Sequence, residues 1–395
     1  MSTLRRGTTL AVVDPNGRST IDVQRVLGTG GQGSVYKAQR RTGVDTPAEG
    51  IALKVFTDTT DWDVDPHFIT QHRDAIRNAA IPEAPVQAHE LTDTGAVNYT
   101  VSTMPLVPGG PLTNQLVGGH KATSSEAANL LGQMAVTLHD MDRRGVVHRD
   151  IKPANIISTP AVPSPEVRHT LIDWDLAVPT KFDGNTCGTF DYIAPELLLG
   201  RKPEPTSDVY SLAATTATMM TNASPNRCDL KERVAWARQA DPQPVLKDVG
   251  DPYLKLVLDR ASHAHPEKRS TPTDLMVDLL PLPAATRTWQ PEDFSACADR
   301  LIVRRVGHAE RNPMIEAFAA EALLRHLPED HGDRDIIALM SQEGAPFRKA
   351  WTQRNGPPVR DSAPTQAPSV SIGDVDMNTE SIPMTPFVAP APKRG

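Results

Sequence analysis

Eight consecutive residues, HRDIKPAN at 148–155, constrain this chain more than any other stretch. Six further runs accompany the octet in a fixed order. GTGGQGSV at 28–35 and IALKVF at 51–56 precede it, and LIDWDLAV at 171–178, GTFDYIAPE at 188–196, SDVYSLA at 207–213 and HPEKRST at 265–271 follow. A fold that uses them together must bring residues from 28 to 271 around one loop.

At 395 residues the chain exceeds the size at which one core usually stops growing, so two domains, or one large domain with an extension, are expected. Its 36 prolines lie well above the usual share of about 5% and point to linkers or a tail. After Asn355 the chain turns rich in Pro, Ser, Thr and Ala with few large apolar residues, so 355–395 is expected to be disordered. A net charge of -7 and a pI near 6.0 offer no footprint for nucleic acid or an anionic membrane surface. Cys187, Cys228 and Cys297 are too few and too scattered for a disulfide framework or a zinc site, which fits a reducing cytoplasm. Leu10 to Val13 is too short for a signal-peptide core, and no uncharged apolar run reaches the roughly 20 residues that span a bilayer. A cytoplasmic protein without membrane insertion is the expectation.

Alternation from Ile21 to Arg40, broken by a glycine cluster and followed by IALKVF, predicts three antiparallel strands. Residues 66–80 fit one helix, and VQAHELTDTG with VNYTVSTM reads as two more strands. A small β-rich lobe over 20–105 follows, with 1–19 as a separate N-terminal segment. LVPGGPL at 106–112 reads as a hinge. Ser124 or Ser125 can cap a helix carrying Ala127, Leu130, Leu131, Met134, Leu138 and Met141, and Gly145 stops it. Further helices are expected at 207–221, 229–239, 251–263 and 272–280, giving a mainly α lobe over 106–282. A helical extension occupies 283–354, for instance MIEAFAAEALLRHL at 314–327. The class is α+β, with two lobes.

The run at 28–35 has the pattern G-x-G-x-x-G-x-V. Glycines let backbone amides approach phosphate oxygens with no Cβ in the way. Dinucleotide and Walker loops need a strand, glycines and then a helix, whereas here strand follows strand and the next lysine lies in IALK.

In these runs the chain resembles the eukaryotic-like, bacterial-type serine/threonine protein kinases over residues 20–282. The resemblance implies the bilobal kinase fold, ATP with Mg2+ or Mn2+, and protein substrates presenting serine or threonine. Under it, Gly28, Gly30, Gly33, Val35, Met104 and Leu106 contact the nucleotide and Lys54 grips its phosphates. Asp150 receives or orients the proton of the substrate hydroxyl, Lys152 neutralises the phosphate in flight, and Asn155 and Asp173 hold the metal. His148 braces the loop, Arg149 can pair with a phosphate on the activation segment, and Thr189 bonds to Asp150 and Lys152. Glu196 and Arg269 form a buried ion pair, and Asp208 holds the loop backbone. Thr180 and Thr186 are candidate phosphosites, and the tail is a candidate for autophosphorylation or for a binding partner.

Two departures from the family pattern stand out. Trp174 replaces phenylalanine and Asp175 replaces glycine after the metal-binding aspartate. No glutamate lies between Gly50 and Pro82 to pair with Lys54, which leaves Asp74, twenty residues after the lysine, as the substitute. An active serine/threonine kinase and a pseudokinase that binds nucleotide and signals through a partner are the two functional readings.

Overall fold

The computed structural model describes residues 4–14, 17–42, 48–57, 64–92, 95–160, 167–184, 187–224, 248–306 and 312–356, with positions 232, 234, 235, 246 and 358. Of the helix expected at 229–239 only positions 232, 234 and 235 are described, and these are helical; Cys228, Thr186 and the tail beyond Pro358 lie outside the described residues.

Six strands build the small lobe: β1 (Thr9–Asp14), β2 (Gly17–Gly30), β3 (Gly33–Arg41), β4 (Glu49–Phe56), β5 (Val86–Thr92) and β6 (Gly95–Pro105). They close in the order β1-β2-β3-β4-β6-β5. Every pairing is antiparallel, and β1 completes the ring by bonding β5 through Leu10, Ala11 and Val12. The N-terminal segment is therefore part of this lobe. Its alternate residues Leu10 and Val12 join Ile21, Val23, Tyr36, Leu53 and Val101 in the barrel core, and closure leaves no exposed edge on that side.

The expected helix over 66–80 is cut to one turn, His67–Thr70, followed by turns. His, Phe, Ile, Thr and Asn are weak helix formers, and long-range bonds outcompete them here. Asn78 takes a left-handed backbone with φ of 53°, and Leu171 N donates to Asn78 O at 2.8 Å while Ala80 N donates to Leu171 O at 2.9 Å. Arg77 adds a second tether. Its guanidinium bonds Asp140 at 2.8 and 2.9 Å and Asp293 at 2.8 and 2.9 Å.

The large lobe is organised on the helix Ser124–Asp142. Its cap is Thr123, not Ser124 or Ser125, and Glu126 completes a reciprocal capping box. Helices Pro205–Thr221 and Pro272–Leu279 pack against it, and Pro252–Ala261 packs against those two, each started by a proline at its first turn. The core does not stop at Leu282. Phe294, Cys297 and Leu301 from the helix Pro291–Val306, Phe318 and Leu323 from Pro313–Leu323, and Ile337 and Met340 from Arg334–Asn355 belong to the same apolar cluster as Leu131, Leu254 and Leu275. Trp289 Nε1 also donates to Gly132 O at 3.1 Å. Arg300 and Arg304 both reach Asp274 at 2.6 Å, and Arg304 reaches Asp278 at 2.9 Å. The extension is thus built into the large lobe by shared apolar burial and by desolvated ion pairs.

Among the described residues no helix is long and apolar enough to cross a membrane.

Candidate active site

The roof of the site is the β2–β3 hairpin, where Gly30 pairs with Gly33. Gly33 has φ of 153°, and a Cβ there would meet Val55 O at 2.1 Å, so only glycine lets the hairpin lie this close to β4. At Gly28 and Gly30 the positions a Cβ would take face open space. Cross-strand register sets Val35 opposite Lys54 and Ala52 opposite Met104. Partners across a ladder share a face, as do residues two apart, so Val35, Ala52, Lys54 and Met104 lie on the face away from the barrel core. Leu106 follows, half-buried, in the link between lobes. Ala52 was not named from the sequence, although its place two residues before Lys54 in a strand carries the signal.

Beneath this face, Asp150 is held by four donors. Thr189 supplies its Oγ1 at 2.6 Å and its N at 3.0 Å to Asp150 Oδ1. Lys152 Nζ at 2.7 Å and Asn155 Nδ2 at 2.9 Å donate to Asp150 Oδ2. Lys152 Nζ also donates to Thr189 Oγ1 at 2.7 Å. Gly188, with φ of 127°, brings this segment so near the loop that a Cβ would stand 2.6 Å from Arg149 O. The loop backbone is fixed from below: His148 N and Arg149 N donate to Asp208 at 2.6 and 2.9 Å. Burial pushes the Asp208 carboxyl up to about 7, against these two bonds. Arg149 itself takes φ of 69° and packs its guanidinium over Phe182, 5.4 Å from the ring centre.

His148 is fully enclosed, and burial pushes its pKa down to about 4. Its Nε2 lies 3.2 Å from Ile172 O and its Nδ1 accepts from Asp150 N at 3.3 Å, an arrangement that fits a neutral ring donating from Nε2. The Trp174 indole packs edge-on against it, 4.7 Å between ring centres. Trp174 is 2% exposed and belongs to the core of the large lobe.

A second buried histidine, His169, sits on the strand Val167–Leu171 that leads to Asp173. Burial alone lowers its pKa to about 4. Below about pH 6.5 the unfolded chain binds a proton that the folded chain refuses, so the stability tied to neutral His169 is lost as pH falls from 6.5 toward 4. Relative to His169→Asn, wild type should lose about 1.4 kcal/mol per pH unit across that window. Urea midpoints at pH 7, 6 and 5 check this, and a difference independent of pH refutes it.

Asp173 also has a left-handed backbone, with φ of 65°, which aspartate tolerates better than most residues. Here the sequence expectation for Lys54 needs correction. Asp74 is exposed and does not meet the lysine. Lys54 Nζ instead donates to Asp173 Oδ1 at 2.9 Å and to Asp175 Oδ2. Burial works to lower the lysine's pKa, but the charges of Asp173 and Asp175 hold it above the ordinary value. The reason Asp74 fails is the collapse of the helix: residues 71–79 are pinned to the large lobe through Asn78 and Arg77. The next glutamate in the chain, Glu83, is engaged by Arg40 at 3.0 Å, Arg73 at 3.0 Å and Thr103 at 2.6 Å.

Glu196 and Arg269 meet in two parallel bonds of 2.8 Å. Of the candidate phosphosites, Thr180 has a buried Oγ1 with no hydrogen-bond partner among the described residues. In this arrangement that hydroxyl is closed to an incoming phosphoryl donor.

These groups fit a nucleotide carrying a divalent cation. Mg2+ favours oxygen ligands and is usually held by one or two protein groups together with substrate phosphates, not by a protein cage. Asn155 uses its Nδ2 on Asp150, which leaves Oδ1 as the outward acceptor. Ile172 N donates to Asn155 O at 2.9 Å, so Asp173 follows alongside, its side chain 39% exposed. The open flank at Gly28 and Gly30 leaves space for phosphates beneath the hairpin.

This fold, with this loop in the cleft between its lobes, is that of the bilobal kinase class. Residues 21–280 match the family model described as Protein kinase domain, and the chain belongs to that family. Its relatives are bacterial serine/threonine protein kinases. It is 30% identical over 260 residues to serine/threonine-protein kinase PknA of Mycobacterium tuberculosis, covering 62% of this chain and 57% of that one. To PknD of the same species it is 30% identical over 236 residues, 56% of this chain and 32% of the relative. PknH of Mycobacterium bovis matches at 25% over 360 residues, 88% of this chain and 52% of the relative. The chain thus spans about half the length, or less, of these relatives.

Proposed function

We propose that this chain moves the γ-phosphate of ATP to serine or threonine hydroxyls of proteins, its own included, in a reducing cytoplasm. The observation that carries the reading is the Asp150 cluster, with Lys152, Asn155 and Thr189 converging on one carboxylate. Bound ATP and its divalent ion supply the phosphoryl group and screen its charge. The protein's own part is positioning and charge placement, which dominate this chemistry. Asp150 orients the substrate hydroxyl and takes up its proton. Lys152, already bridging Asp150 and Thr189, places a positive charge beside the transfer path. Asn155 and Asp173 offer the oxygens for the ion, and Lys54 reaches the phosphates from β4.

A second reading, a nucleotide-binding module without turnover, is favoured by Lys54 lying between two aspartates and by the four-residue helix in place of a full one. Mass spectrometry after incubation with ATP and Mg2+ or Mn2+, with and without a generic protein acceptor, separates the two. Phosphate on serine or threonine supports the kinase reading and shows whether Thr186 or the tail is modified. Thermal stabilisation by ATP with no phosphate transferred supports the second.

A further inference from the structure

The two departures from the family pattern meet at one atom. The helix that lacks a glutamate is reduced to one turn, and the residue that replaces the usual glycine, Asp175, reaches the Lys54 Nζ. We infer that Asp175 is the positioning residue for Lys54, supplying from the large lobe the carboxylate that no described residue of the small lobe provides. This inference rests on the nucleotide-binding part of the reading above.

Environment separates the two aspartates that share the lysine. The Asp175 side chain is 8% exposed, whereas that of Asp173 is 39% exposed. Asp175 lies at a cleft lined by Phe56, Phe68, Ile69, Ser102 and Trp174, between β4 and the remaining helical turn. A charge buried there persists only when paired, and its partner is the Lys54 ammonium. Asp173 opens toward the nucleotide side. When Asp173 turns to a cation, Lys54 keeps Asp175; with glycine at 175, the buried ammonium would compete with the cation for a single carboxylate.

The competing candidates fail on geometry. Asp74 is exposed, Glu83 is bound by Arg40, Arg73 and Thr103, and Asp65 is exposed and accepts from His67 N. A consequence concerns control. Where the lysine's partner sits on a small-lobe helix, moving that helix makes or breaks the pair. Here the partner is two residues from Asp173, so the grip of Lys54 depends on the 173–175 turn and not on the position of His67–Thr70.

The test measures ATP affinity by titration calorimetry, which does not require turnover. Asp175→Asn should weaken ATP binding by about tenfold, the scale of a lost charged hydrogen bond, while Asp74→Ala leaves it unchanged. In a Lys54→Met background Asp175→Asn should change affinity by less than about twofold, because its effect passes through the lysine. Asp175→Glu, which keeps the charge, should retain most of the affinity and also serves if the Asn variant fails to fold. An unchanged affinity in Asp175→Asn, an equal loss in both backgrounds, or an equal loss in Asp74→Ala overturns the inference. ATP binding with the expected cycle but no phosphate transfer upholds it and defeats the kinase reading alone; no ATP binding by wild type defeats both.

Discussion

Replacing Asp150 by asparagine should lower phosphate transfer about a thousandfold, within the range contributed by a positioned general base, while ATP still binds. The reason lies in how the carboxylate is used. Its Oδ1 accepts two bonds from Thr189 and its Oδ2 accepts from Lys152 and Asn155. An amide has the same shape but replaces one oxygen with a donor, so one of these pairs of donors would face another donor. The loss therefore combines a missing proton acceptor with a loosened Lys152. Phosphate incorporation per minute, measured on wild type and Asp150→Asn, checks it, with thermal midpoints to show that both are folded. Equal transfer by the two proteins would show that Asp150 is not where the hydroxyl is activated.

Asp150, Lys152 and Asn155 could be named from the sequence because they lie within six positions of one loop, where local spacing nearly determines relative placement. Thr189 is 39 residues away, yet a glycine one residue earlier, at 188, permits the close approach to the loop. Lys54 was legible and its partner was not. On paper the absent helix glutamate and the extra aspartate at 175 are two separate losses, and only the folded chain shows that they lie at the same nitrogen. The periodicity of Phe68, Ile69 and Ile76 fits a helix well, but bonds from Asn78 and Ala80 to Leu171 override it. Local propensity is a weak prior against tertiary pairing. In the same way, TLAVVD at 9–14 has strand character, yet its pairing with β5 spans some eighty residues and cannot be read from pattern. The helices after 290 show their amphipathic spacing plainly. Their attachment does not show, because it depends on Asp274 and Asp278 meeting Arg300 and Arg304 across a shared core.

The Glu196–Arg269 pair should prove the most costly ionic contact to break. Both side chains are shut from solvent, at 4% and 0% exposure. Beyond their two mutual bonds, Ser207 Oγ donates to Glu196 Oε1 at 2.8 Å, and the guanidinium also donates to Thr206 O at 2.9 Å and His263 O at 2.8 Å. The same guanidinium stacks over Tyr210, 5.0 Å from the ring centre. Burial acts to raise the Glu196 pKa, but Arg269 holds it below the ordinary value. Arg269→Ala leaves that carboxylate buried without its cation, and stability should fall by about 3–5 kcal/mol, the cost of orphaning one member of a buried pair. Arg269→Lys should recover little, since a point charge cannot make the paired bonds of the planar fork. By contrast, Asp183→Asn removes the contact of Lys202 with an aspartate that is 86% exposed, and the midpoint should not move. Urea denaturation of the three variants checks the ordering. If Arg269→Ala unfolds at the wild-type midpoint, the pair is not what holds the segment 188–196 against the helix Pro205–Thr221. Because Thr189 lies on that segment and donates to Asp150, transfer should fall together with stability.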